Sequence, residues 1–268
     1  MYPIIDAHIH LHKYSLHQMQ EIIDQFHSDN LAGLIAVSDD YASAVKTLSL
    51  ARQYDGIYPA IGYHPEQKLP TDHELLKVFN LINEHKQNLC AIGEVGLPYY
   101  LRRKNPNIDR RSYEIILEQF IQRAAIDDKP IVLHAIYDDA PFVCHLLEKH
   151  SVKKAHFHWF KGDKQTVSRL ISNGYFISVT PDIVYETEIQ QLVKAFPLDF
   201  MLVETDGPWP FFGPFQGQLT EPNMIHQSIA AIAQIKDQPL ADVYRTIYEN
   251  TISFYNIKEQ TKRSPYGN

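Results

Sequence analysis

Eight short apolar runs rich in β-branched residues recur along the chain, at 4–10, 31–38, 57–64, 89–97, 130–136, 154–160, 175–180 and 200–205. Between them lie segments of helical periodicity at 15–30, 41–54, 72–86, 112–127, 140–150, 163–172 and 187–196, and two more helical patterns follow at 223–235 and 240–255. This is a βαβ rhythm, in which each intervening segment is long enough to cross back over a sheet and leave successive strands parallel. Junction chemistry agrees: Asn173-Gly174 is a left-handed helix stop before a strand, and Asp128-Lys129-Pro130 stops the preceding helix just before another. Eight such units in 268 residues predict an α/β fold, a closed (β/α)8 TIM barrel. An open doubly wound sheet would carry fewer strands and a glycine-rich phosphate loop, and no GxGxxG or P-loop sequence is present. Residues 1–257 read as a single barrel domain, and 258–268 as a polar, frayed tail.

Composition narrows the function. With 44% apolar residues and no internal repeat, the length alone would also allow two small domains. Asp6, His8, His10 and His12 interrupt the first apolar run, so no secretory pattern is expected, and no apolar stretch approaches the roughly 18 residues of a membrane span. A cytoplasmic protein with no membrane association and no obligate protein partner is the expectation. Cys90 and Cys144 lie far apart in predicted buried elements, which excludes a disulfide framework or a CxxC metal site. The net charge of −7 argues against bulk binding of a polyanion, and the basic run Leu101-Arg102-Arg103-Lys104 reads as a solvated loop. The 14 histidines stand out, and their positions matter more than their number.

Barrel enzymes place their chemistry where strands end and βα loops begin. The first run carries His8 and His10, which share a face because side chains alternate with period two. The third ends at Tyr63-His64, the fourth at Gly93-Glu94, the fifth at His134, the sixth at His158 and the eighth at Asp206. An isolated histidine at a strand end is usually structural. Closure of a barrel, however, would bring His8, His10, Glu94, His134, His158 and Asp206 into one volume, and four imidazoles with two buried carboxylates require cations for compensation. The donor set, without thiolate, suits zinc, manganese or magnesium. Two divalent ions about 3.5–4 Å apart would share a bridging carboxylate and activate water. Glu94 is the candidate bridge, with His8, His10 and Asp206 completing one ion and His134 with His158 the other. No serine or cysteine triad competes.

The ordered motifs IDAHIHL, AIGYHPE, AIGEVGL, IVLHA, HFHWFKG, FISVTPDI and LVETDGPWP, with ENTISFY near the end, resemble the TatD family of metal-dependent hydrolases, within the amidohydrolase-like barrel group. The resemblance implies a divalent metal centre at the six positions, with Glu94 and Asp206 in catalysis, and phosphodiester or phosphate-ester hydrolysis, typically as a deoxyribonuclease. It also implies a supporting catalytic role for His64. Lys161, Tyr63 and Trp159 are the candidate substrate contacts, and a nucleic-acid end or a phosphorylated small molecule is the implied substrate. Tyr99, Tyr100, Trp159, Trp209, Phe211 and Phe212 fall on loops at the same end, placed either to stack on a substrate or to pack the loops. The chain departs from the family at Pro98, where an aspartate is common, and between Gly217 and Pro222, where basic residues are usual. Two other readings are an amidohydrolase or lactonase, disfavoured because those enzymes often carry a carbamylated lysine where this chain has Glu94, and a metal-binding protein without activity.

Overall fold

The computed structural model describes residues 3–28 and 31–258. Its eight strands are β1 (Ile4–Ile9), β2 (Leu31–Val37), β3 (Ile57–Ile61), β4 (Ala91–Gly96), β5 (Ile131–His134), β6 (Ala155–Phe157), β7 (Phe176–Val179) and β8 (Met201–Val203). They are hydrogen-bonded in sequence order, each parallel to the next. The ring closes where Asp206 donates its N–H to the His8 carbonyl at 2.9 Å and His10 donates to the Gly207 carbonyl at 2.8 Å. The expected barrel is therefore the observed one. The tail expected from residue 258 lies, from 259 on, outside the described residues, as do the last two positions of the helix expected over 15–30.

The crossovers are α1 (Leu16–Ser28), α2 (Tyr41–Gln53), α3 (Asp72–His85), α4 (Tyr99–Lys104), α5 (Arg110–Asp127), α6 (Ala140–Lys149), α7 (Lys164–Asn173) and α8 (Thr187–Ala195), followed by α9 (Ile225–Lys236) and α10 (Leu240–Tyr255). Their boundaries follow from local chemistry. Asp40 and Thr71 cap α2 and α3 through reciprocal capping boxes with Ser43 and Glu74, and Asp163 caps α7. Gly174 (φ 67°) ends α7 in the left-handed conformation expected of Asn173-Gly174, and α5 stops where expected, with Asp128 (φ 49°) left-handed as well. The basic run after β4 is not a loop: it forms α4, with Arg102 paired to the buried Asp139 at 2.7 Å. No helix of the described residues is long and apolar enough to cross a membrane.

Both faces of the sheet are covered. The outer face packs under the helices in one large apolar cluster. A smaller cluster draws Ile5, Ala7, Ile35, Ala60, Ala91, Val132 and Leu202 from six strands onto Phe254 and Tyr255 at the end of α10, and so fills the lumen at the amino end of the strands. Two register shifts redirect what lies above it. Two residues of β1, Ala7 and His8, oppose one of β2 between Asp6 and Ile9, and two of β4, Gly93 and Glu94, oppose one of β5 between Ile92 and Val95. Each extra residue reverses the alternation, so that His8 follows Ala7, and Glu94 follows Ala91 by three positions, into the mouth of the barrel.

Candidate metal centre

At the carboxyl end of the strands the six predicted side chains converge. His8 Nε2 lies 3.2 Å from Glu94 Oε2 and 3.3 Å from Asp206 Oδ1. His10 Nε2 is 3.3 Å from each of the same two oxygens, and the two imidazole nitrogens stand 3.4 Å apart. Glu94 Oε2 and Asp206 Oδ1 are buried without a hydrogen bond. Two carboxylate oxygens and two ring nitrogens turned toward one point repel one another unless positive charge lies between them. Donors about 2.0–2.1 Å from a tetrahedral ion are about 3.3 Å from each other, which is the spacing observed. The residues fit a divalent cation.

The other oxygen of Glu94 faces a second set. Its Oε1 is 2.7 Å from His158 Nε2, 3.0 Å from His134 Nδ1 and 3.3 Å from His64 Nε2, while His134 Nδ1 and His158 Nε2 are 3.1 Å apart. His64 differs from its neighbours because its Nδ1 accepts the Glu66 N–H at 3.1 Å. The neutral ring then carries its proton on Nε2 and presents it to Glu94. Burial pushes His64 below its ordinary pKa. Burial would also lower His10 and His158, but Asp206 and Asp39 around His10, and Glu94 and Glu204 around His158, outweigh it and hold both well above the usual range. Glu94 is shifted the other way: burial would raise it, and the surrounding imidazoles of His158, His64 and His8 hold it well below.

Three carboxylates that sequence reasoning did not single out sit behind the histidines. Asp39, just after β2, is 2.9 Å from His10 Nδ1; Glu66 is 3.3 Å from His134 Nε2; Glu204, just after β8, is 3.5 Å from His158 Nδ1. Each lies on the far side of its ring from Glu94, at ion-pair distance with no hydrogen bond formed, and its charge favours the ring orientation that turns the other nitrogen to Glu94. Asp6 has a different task. It accepts the Thr205 N–H at 3.0 Å, the Thr205 hydroxyl at 2.5 Å and the His8 N–H at 3.2 Å, tying the strands that present His8 and Asp206. Glu66 and Glu204 fall inside the quoted motifs, yet residue type alone does not say which carboxylate faces which ring.

A family model described as TatD related DNase matches residues 5–256. The chain belongs to the TatD family. It is 38% identical over 255 residues to a Haemophilus influenzae protein named an uncharacterized metal-dependent hydrolase, covering 95% of this chain and 100% of that one. It is 28% identical to the human protein named deoxyribonuclease TATDN3, with 94% of each covered. The crystal structure of YjjV, a TatD homologue from Escherichia coli, superposes with a TM-score of 0.83 at 22% identity, covering 95% of this chain and 98% of that one. The protein is a metal-dependent hydrolase of the TatD type, and divalent-metal use follows from its relatives and its donor clusters.

Above the TatD centre opens a cavity of about 610 Å³, whose walls include Lys13, Tyr100, Lys104, Trp159 and Trp209 together with His10, His64, His134, His158 and Asp206. Two of the three expected substrate contacts are not on this wall. The Lys161 ammonium is drawn 3.9 Å from Asp182 and lies over the Trp159 ring, and the Tyr63 hydroxyl donates to the Lys68 carbonyl. Trp159 does line the cavity, with its indole N–H donating to Asp182 at 2.6 Å. The aromatic set divides: Phe211 packs inward on Phe215 and Met224, whereas Trp209 and Phe212 are exposed.

Proposed function

We propose that the chain is a two-ion phosphodiester hydrolase acting on nucleic-acid ends or on a small phosphorylated compound. One observation carries the reading: the two oxygens of a single buried carboxylate, Glu94, face two separate donor sets. His8, His10 and Asp206 with Glu94 would hold one ion, and His134 and His158 with Glu94 the other, the ions being zinc, manganese or magnesium. When bound, such ions supply charge for the phosphoryl oxygens and lower the pKa of a water toward about 7.

The protein's own groups do the remaining work. Glu94, fully buried, fixes the separation of the two sets. His64 turns its Nε2 to the same carboxylate at 3.3 Å and helps keep it oriented. Asp206 is the carboxylate of the pair that reaches the cavity, and its Oδ2, outside the histidine contacts, is the atom assigned to take the proton of an attacking water. Lys104 on the wall offers positive charge to a substrate phosphate, while Lys13 is already tied to Asp39 at 2.9 Å. The faces of Tyr100 and Trp209 suit a base. The net charge of −7 favours a strand end or a small molecule over a long polyanion held along its length, and the human relative is named a deoxyribonuclease.

The test is turnover of bis-p-nitrophenyl phosphate, single-stranded DNA and a panel of lactones and amides by metal-stripped protein given manganese, magnesium or zinc. Phosphodiester cleavage is expected, with Glu94→Ala lowering kcat on the order of a thousand-fold, the equivalent of about 4 kcal/mol of transition-state stabilisation. Turnover confined to lactones or amides would overturn the reading, as would near-normal activity of Glu94→Ala.

A further inference from the structure

Glu66, in the loop after β3, stands behind His134, and its two carboxylate oxygens also engage a second element. Oε1 accepts the Tyr100 N–H at 2.7 Å and stands 3.3 Å from His134 Nε2; Oε2 accepts the Leu101 N–H at 2.7 Å. Both amides belong to the first turn of α4, the six-residue helix that carries Tyr100 and Lys104 on the cavity wall. No residue of α4 is buried, and its N-cap, Pro98, has no side-chain hydrogen bond to offer. A helix so short does not persist on its own in water. The acceptor that a first turn ordinarily receives from its own cap is here supplied by Glu66 from another loop.

The same carboxylate decides how His134 presents itself. The ring turns Nδ1 toward Glu94 and His158 and Nε2 toward Glu66. With its proton on Nε2, directed at Glu66, the ring keeps the Nδ1 lone pair for a cation. We propose that Glu66 is a positioning residue that couples the second metal position to the α4 lid, so that loading that position and ordering the wall formed by Tyr100 and Lys104 favour each other. The inference rests on the reading of His134 as a ligand. Because coupling between two equilibria is reciprocal, either side reports it.

The experiment titrates zinc into wild-type and Glu66→Gln protein against a chelating indicator, and follows hydrogen exchange at the Tyr100 and Leu101 amides with and without zinc. Glutamine has one acceptor oxygen for three donors. In this variant the second equivalent is expected to weaken about 10–100-fold, the first to stay within about twofold, and the two amides to exchange faster. Wild-type amides are expected to slow on loading, a readout that survives if the variant fails to fold. Two equivalents bound by the variant as tightly as by wild type would overturn the coupling alone, and so would equal loss of both equivalents or wild-type amides indifferent to zinc. Uptake of fewer than two equivalents by wild type would overturn both the coupling and the two-ion reading.

Discussion

At the scale of single residues, burial sets the chemistry. Asp182 accepts hydrogen bonds from the Thr180 hydroxyl and the Trp159 indole, but burial dominates and raises its pKa from an ordinary 3.8 to about 6. A carboxyl whose folded pKa lies above its unfolded one favours folding below about pH 4, and that contribution is lost as pH rises through 6. The difference amounts to about 2–3 kcal/mol. Asp182→Asn keeps an acceptor for the indole and escapes the cost of ionisation, so its stability relative to wild type should rise by about that amount between pH 4 and pH 8. Urea unfolding at both ends of the range measures it, and a difference that does not change with pH would refute the assignment. Asp182 also holds Lys161, read from sequence as a phosphate contact, beside the Trp159 ring rather than on the cavity lining. Such competition between two partners has no signature in residue order.

At the scale of elements, the sequence was most legible where the chain's own chemistry sets the boundary. Helices α2, α3, α5 and α7 start at or near the expected residues because Asp and Thr caps announce them. The strands end earlier than their apolar runs. The third run extended to His64, but β3 stops at Ile61, since Gly62 gives its N–H to the Ser38 hydroxyl and His64 to the Asp39 carbonyl, outside the ladder. Hidden from view were the register shifts in β1 and β4, which depend on the neighbouring strand, and helix α4, whose capping acceptor comes from Glu66, over thirty positions away. Gly96 shows how close these strands must run: it pairs with His134, and an added Cβ would lie 2.0 Å from the His134 carbonyl oxygen. Neither backbone has room to yield. Gly96→Ala is expected to cost about 2–3 kcal/mol by overpacking and to displace His134, read as a lower Tm together with weakened second-equivalent metal binding. A variant with wild-type Tm and metal content would contradict this.

For the whole molecule, closure of the barrel does what no segment does alone. It brings side chains from Asp6 to Asp206 into one ring, and this much could be read from the sequence because parallel strands in order must present their carboxyl ends together. The carboxylates that orient the histidines could not, since His10 with Asp39, His134 with Glu66 and His158 with Glu204 are pairings made only when the ring closes. Beneath the centre, the end of α10 completes the lumen: the Tyr255 hydroxyl donates to the Ala7 carbonyl and meets His156 at 2.7 Å. Two-ion chemistry requires Glu94 to stand between two cations. Anomalous scattering from crystals grown with manganese or zinc tests it most directly, and should show two peaks about 3.5–4 Å apart, one on each side of the Glu94 carboxylate. A single peak, or peaks remote from Glu94, would contradict it.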